Sequence, residues 1–182
     1  FELGVPARHG DALASALMQA GAAFGIEPYG TEALGAMRIE KGHVAGSEID
    51  GRTTARDLGL GRMMSAKKDY IGRVLADRPA LLDPSRPRCV GFKAVDPRQQ
   101  LRAGAHLVSR DAAATAQNDE GVITSVAFSP ACGRWIGLGL LARGPERVGE
   151  RVIAADPVRN DSVELEVCPP CFVDPGGERM HG

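Results

Sequence analysis

The most constraining feature of this chain is a change of hydrophobic period near residue 88. Beyond it, apolar and other residues alternate in four stretches: Val90, Phe92 and Ala94; Val122, Thr124 and Val126; Ile136, Leu138 and Leu140; Val163, Leu165 and Val167. A period of two places alternate side chains on one face of a strand, so each stretch is expected to bury one face. Shorter candidates lie at His106 to Ser109, Arg151 to Ala154 and Cys171 to Val173, with Gly-, Pro- and Asp-containing turns between them. Six or seven short strands of this kind predict a sandwich or a small antiparallel barrel. Aromatic residues make up only 4% of the chain, so its cores must be built from Leu, Val, Ile and Ala.

Before that point the pattern is mostly helical. Phe1 to Val5 reads as a strand stopped by Pro6. Asp11 is a candidate N-cap for a helix to about Ala20, with Leu13, Ala16, Leu17 and Ala20 on one face and Gly21 placed to end it. Ala22 to Glu27 can extend it briefly before Pro28. Thr31 is the candidate N-cap of a second helix, in which Ala33, Leu34 and Met37 share a face and Gly42 follows the end. Residues 43 to 50 read equally as strand or loop. Thr54-x-x-Asp57 is a capping-box variant that predicts a short helix, and Tyr70 to Asp77 predicts another, ending near Pro79. Asp83-Pro84-Ser85-Arg86-Pro87-Arg88 is the best linker in the chain and sets a boundary between residues 1–82 and 88–182. The fold class expected is α+β.

Composition excludes several functions. A formal net charge of -1 gives no electrostatic case for nucleic acid. No run approaches the roughly 18 apolar residues of a membrane helix, and no basic start precedes an apolar stretch as in a signal peptide. Four cysteines in 182 residues do not form a disulfide framework, which fits a reducing cytoplasm. The opening Phe-Glu-Leu-Gly-Val has no methionine and reads as the middle of a strand, so an upstream portion is expected. A strand edge left unpaired there predicts self-association through residues 1 to 6.

General catalytic motifs are missing. Cys168-Pro169-Pro170-Cys171 follows a strand with no helix after it, whereas a redox Cys-x-x-Cys wants a helix N-terminus. Cys89 and Cys132 are single and distant, against the paired spacing of zinc ligands. His9, His43, His106 and His181 are scattered, and Gly59-x-Gly61 lacks the third glycine of a dinucleotide turn. No catalytic residue and no metal ligand are therefore assigned.

Several blocks in order carry a family resemblance. They are Arg38-Ile39-Glu40-Lys41-Gly42, Asp50-Gly51-x-Thr53-Thr54, Leu58-Gly59-Leu60-Gly61, Lys67-Lys68-Asp69-Tyr70-Ile71-Gly72, Gly121-x-x-Thr124-Ser125 with Ser129-Pro130, and the Cys-x-Pro-x-Phe-x-Asp-Pro run from Cys168. Together they resemble the folate-binding family of the glycine-cleavage T-protein (aminomethyltransferase). The Tyr29-Gly30-Thr31-Glu32-Ala33 and Asp57-Leu58-Gly59-Leu60-Gly61 wording is similar to the alpha subunits of heterotetrameric sarcosine oxidases. The resemblance covers nearly the whole chain and implies a partial T-protein-like folate-binding α/β domain followed by an antiparallel, jelly-roll-like barrel.

What the resemblance implies about function is specific. Glu2 matches a strand glutamate that grips the pterin ring of tetrahydrofolate; a carboxylate can accept two parallel N–H bonds from an aminopyrimidine edge. Taken without the resemblance, the residue reads as a solvated strand glutamate. Arg38 and Glu40 form the centre of a family block and are expected to tie their helix to the following loop. Two positions depart from the family near the folate tail: Leu34 where T-proteins carry arginine, and Arg62 where they commonly carry tryptophan. Arg62 is either a surface arginine or a cation for the tail carboxylates. In the whole enzyme the resemblance implies sarcosine oxidised to glycine, with 5,10-methylenetetrahydrofolate and hydrogen peroxide formed. FMN, FAD, NAD and zinc are then expected only elsewhere in the parent complex, beside the other subunits of the oxidase. The family's catalytic aspartate is expected upstream of Phe1, so this piece alone should not turn over. The alternatives are a piece of a dimethylglycine dehydrogenase or aminomethyltransferase, or a non-catalytic assembly module with a vestigial folate pocket.

Overall fold

The computed structural model describes residues 2–180. The chain divides into two compact units, Phe1–Leu34 and Gly35–Gly182. In the first, residues 2–6 form no strand, a short 3-10 turn spans Ala7–His9, and helix α1 runs Gly10–Gly21. The strand expected at Phe1 to Val5 is thus not formed over its described residues, because a strand needs a hydrogen-bonding neighbour and none pairs with it. Phe1 lies outside the described residues. Helix α1 covers the predicted span, but it starts at Gly10 with His9 rather than Asp11 in the N-cap position and no side-chain cap, and Leu17 and Met18 on it remain exposed.

Helix α2, Thr31–Glu40, ends as its sequence predicts. The Gly42 amide donates to the Ile39 carbonyl and the His43 amide to the Arg38 carbonyl, a Schellman closure that requires a left-handed residue at Gly42 (φ 73°). Residues 43–50 settle as loop with a 3-10 turn at Gly46–Glu48. The capping bonds of Thr54 and Asp57 form, yet only turns follow, because Gly59 adopts φ 75° and closes the segment after one turn. The helix expected from Tyr70 to Asp77 shrinks to α3, Arg73–Ala76, because Gly72 at φ 89° cannot sit inside a right-handed helix. A further turn, α4, spans Pro79–Leu82.

The strands are β1 (Pro87–Ala94), β2 (His106–Ser109), β3 (Gly121–Ser129), β4 (Arg134–Ala142), β5 (Arg151–Asp156) and β6 (Asp161–Cys168). They close into an antiparallel barrel in the order β1-β4-β3-β2-β5-β6, with β6 pairing back to β1. Closure removes the exposed strand edge that an open sheet would carry. Val90, Phe92, Leu107, Ile123, Leu141, Val152, Leu165 and Val167 fill the interior. Cys171 to Val173 is not a strand; the Phe172 and Val173 amides instead donate to the Glu40 carbonyl.

Two strands turn the alternation inside out. Ile136 and Leu138 are fully buried, but on the outer face, packed against Ile39 of α2. Gly137 and Gly139 take the inward positions, and a Cβ at Gly139 would lie 2.9 Å from Phe92 Cε2. Glycine there makes room for the largest ring in the core. Strand β3 carries a bulge between Ile123 and Ser125, so Ile123 and Val126 both pack inward while Thr124 and Ser125 meet residues outside the barrel.

At Gly42 a Cβ would also stand 2.6 Å from the Pro170 carbonyl oxygen. Gly42→Ala therefore combines left-handed strain of about 1–2 kcal/mol with a backbone collision, whereas Gly133→Ala (φ 64°, with no heavy atom within 4 Å of an added Cβ) carries strain alone. Urea denaturation should show Gly42→Ala losing clearly more stability than Gly133→Ala; equal losses would contradict the close approach.

Candidate functional site

Two of the blocks singled out by the sequence, those of Arg38 and of Thr124-Ser125, converge on one buried carboxylate, Glu48, which is 0% exposed. Arg38 Nη1 donates to Glu48 Oε2 at 3.0 Å, and the Ala45 amide donates to the same oxygen at 2.8 Å. On the other oxygen, the hydroxyl of Thr124 lies at 2.6 Å and that of Ser125 completes the set. Arg38 Nη2 donates to Ser125 Oγ at 2.6 Å, so arginine, serine and glutamate form a closed ring of charge-assisted bonds. The bulge in β3 brings two consecutive hydroxyls to this carboxylate. Burial alone would raise the carboxyl pKa of Glu48; the hydrogen bonds from Ser125, Thr124 and the Ala45 amide, with the Arg38 charge, outweigh it and hold it below the usual range.

Two neighbouring ties complete the clasp. The Ser129 hydroxyl donates to Glu40 Oε1 and accepts from the Cys132 amide. Lys41 Nζ donates to the backbone carbonyl of Asp174 and lies 3.2 Å from its carboxylate. Arg38 and Glu40 thus reach well beyond the following loop, to β3 and the barrel's last segment. Their motif gave the anchors; the partner Glu48 had no local signal and was missed.

Asp57 is a second buried carboxylate. Arg86 grips it with both forks, Nε to Oδ1 at 3.1 Å and Nη2 to Oδ2 at 2.6 Å, while the Thr54 amide donates to Oδ2 at 2.9 Å. Burial opposes ionisation, and the Arg86 and Thr54 bonds overcome it, so the Asp57 pKa is lowered. The proline-rich segment at 83–88 is consequently fastened at Arg86, and Pro87 already pairs with Ala142 in the barrel. These ties place residues 35–86 in the same compact unit as the barrel.

Of the site candidates, Glu2 is exposed in the first unit, in non-strand backbone. Arg62 belongs to the second unit, in a 3-10 turn at Gly61–Met63, on the rim of a cleft it shares with Arg56 and Arg88. Leu34 is exposed at the end of the first unit. Cys89 and Cys168 are buried, and burial pushes both thiols up to about 12. They stay protonated at neutral pH, unlike the thiolates that redox or zinc chemistry uses.

Because the Glu48 and Asp57 carboxylates titrate below their unfolded values, the stability they confer is present above the ordinary carboxylate range, about 4, and is lost as pH falls through the lower folded values. Glu48→Ala leaves Arg38 facing buried hydroxyls and should cost about 3 kcal/mol or more. Glu48→Gln should flatten the acid limb of stability against pH in denaturant titrations. An unchanged acid limb would refute the role given to Glu48.

Comparison with known proteins agrees with this arrangement. The family description "GCVT N-terminal domain" matches residues 1–68, and "Glycine cleavage T-protein C-terminal barrel domain" matches residues 88–174. A sarcosine oxidase subunit alpha of Rhizobium meliloti (strain 1021) is 45% identical over 182 residues, spanning 100% of this chain and 18% of its own length. An aminomethyltransferase of Streptomyces avermitilis is 31% identical over 171 residues, covering 92% of this chain and 44% of its own. The crystal structure of the glycine cleavage system aminomethyltransferase T from Bartonella henselae superposes with a TM-score of 0.73 at 26% identity, over 93% of this chain and 45% of that one. The chain thus spans about a fifth of the oxidase subunit and under half of the aminomethyltransferases. Both T-protein domain types are thus matched in order, over residues 1–68 and 88–174, and the chain is similar in sequence and fold to the glycine-cleavage T-protein family.

Proposed function

We propose that this chain is the tetrahydrofolate-binding, one-carbon-transfer part of a sarcosine oxidase. The observation that carries the reading is the 45% identity to a sarcosine oxidase alpha subunit across the full 182 residues. In this reading, residues 1–82 are the C-terminal part of the folate-binding domain and residues 88–182 the terminal barrel. The whole enzyme oxidises sarcosine to glycine and forms 5,10-methylenetetrahydrofolate and hydrogen peroxide. FMN, FAD, NAD and zinc belong to other parts of that complex, and the other oxidase subunits are the partners. No catalytic group is assigned within the chain, which by itself does not turn over. Among the described residues no helix is long and apolar enough to cross a membrane, in keeping with the cytoplasmic location proposed.

Glu2 and Arg62 are the proposed folate contacts. Glu2 offers an exposed carboxylate for the aminopyrimidine edge of the pterin. Arg62 offers a guanidinium with no hydrogen-bond or ion-pair partner among the described residues. A second reading, an aminomethyltransferase proper, is favoured by the match to that enzyme in Streptomyces avermitilis.

Calorimetric titration with 5-formyltetrahydrofolate, a stable reduced folate, tests the shared part of both readings. Wild-type chain should bind, and Glu2→Ala should weaken binding by about tenfold or more, the worth of a charge-assisted contact. Unaltered affinity in Glu2→Ala would remove Glu2 from the site. Absence of binding by the wild type would count against folate.

A further inference from the structure

We propose that the cavity between β2 and the loop that follows it is a binding site for a small alkylammonium ion, a protonated primary amine on a short hydrocarbon chain. The cavity has a volume of about 220 Å³ and lies within the second unit, on the face of β2 opposite the core residue Leu107. Val108, Ala155 and Pro157 form its barrel side, and Ala114 and Ala116 its loop side. Its polar groups are His106, Thr115 and Asp119. The site shares no residue with the proposed folate contacts and does not depend on the folate reading.

The polar groups are all able to accept, and that decides the class of ligand. Asp119 brings the one carboxylate, and no lysine or arginine lines the volume. Among the described residues Asp119 pairs with no guanidinium or ammonium group. Its Oδ2 meets His106 Nδ1 at 2.9 Å, and its Oδ1 accepts from the Gly121 amide at 3.2 Å. A carboxylate has about four lone-pair sites, so each oxygen keeps acceptor capacity for a ligand. In the neutral pair the imidazole donates from Nδ1 to Asp119, which leaves Nε2 as an acceptor. The Thr115 hydroxyl can accept as well. Neighbouring acids are already answered: Glu120 by Arg147 and Ser109, and Asp156 by Arg159. An ammonium group, all donor and positively charged, matches this set, whereas an anion finds only acceptors.

The walls are held before any ligand arrives. His106 lies in register with Val122 of β3 and Ala155 of β5, so both neighbours in the closed barrel fix its backbone. The loop carries its own bonds. Asn118 Nδ2 donates to the Ala113 carbonyl at 2.9 Å and the Asn118 amide to the Thr115 carbonyl at 3.1 Å, while the Glu120 amide closes the loop on the Leu107 carbonyl at 2.8 Å. The apolar sides call for hydrocarbon beside the charge. At about 220 Å³ the volume is below the roughly 300–1,000 Å³ of sites for drug-sized ligands, which limits that hydrocarbon to a short chain.

The test is a titration of the isotope-labelled 182-residue chain with propylammonium chloride at constant ionic strength, followed by backbone amide shifts in NMR. Saturable shifts should be confined to residues 106–108, 114–119 and 155–156, with a Kd of about 1 mM, within reach of so small a ligand. Propan-1-ol and propionate, similar in size but without the positive charge, should bind at least about tenfold more weakly. Sarcosine should also bind at least about tenfold more weakly, because its carboxylate would be repelled by Asp119. Asp119→Asn should weaken propylammonium binding by about tenfold or more with the rest of the spectrum unchanged. Ala114→Leu, which leaves the His106–Asp119 pair in place and fills the space, should abolish it. Equal affinity for propan-1-ol or sarcosine overturns the assignment, as does binding that survives both substitutions. Shifts that fall elsewhere or never saturate overturn it too. If Asp119→Asn disturbs the whole spectrum, the Ala114→Leu result decides by itself.

Discussion

The structure of the second unit depends on a carboxylate that water does not reach. Glu48 carries a charge at 0% exposure, which would be prohibitive without partners. It has a full set: one guanidinium, one amide and two hydroxyls, drawn from α2, the loop after it and β3. Such a group is more demanding than a hydrophobic contact, since the loss of any donor leaves a buried lone pair unanswered. The helix end, the loop and the barrel are consequently held in one relative arrangement.

The apolar contacts around this clasp give it a platform. Ile39, on the same turn as Arg38 and Glu40, sits on the outer face of β4 over Ile136 and Leu138. Burying three such side chains contributes several kcal/mol, at about 1.5–3 kcal/mol each. That apolar contact fixes depth but not register. The charged ring, with Ser129 on Glu40 and Asp174 on Lys41, supplies the register. The Arg38–Gly42 and Thr124–Ser125 blocks are thus contact surfaces between α2 and the barrel.

Away from the clasp, the same unit answers its buried charges with one another. Arg86 is consumed in holding Asp57, and Arg147 in bridging Glu120 and Glu150. Asp119 meets no guanidinium, only His106 and the Gly121 amide, and it borders a cavity whose barrel side is braced by closure. Structural and unspent charges thus stand side by side around β2 and β3.

Period and turn chemistry are local properties, and they alone determined α1, the end of α2 at Gly42, and the six strands of the barrel. The family blocks likewise made the T-protein architecture legible. Where local signals misled, a neighbour overruled them: positive-φ glycines cut short the turns after Thr54 and before Arg73, and the backbone of Glu40 claimed the amides expected to form a last strand. Which face of β4 turns inward was not readable, because alternation gives a period but no direction. Only closure of the barrel around Phe92 decided that Gly137 and Gly139 face the interior and Ile136 and Leu138 face the helix. Glu48 and the cavity beside His106 lay equally beyond the sequence. Both are made by residues tens of positions apart, and the surroundings that give a charge its meaning exist only once the chain has folded.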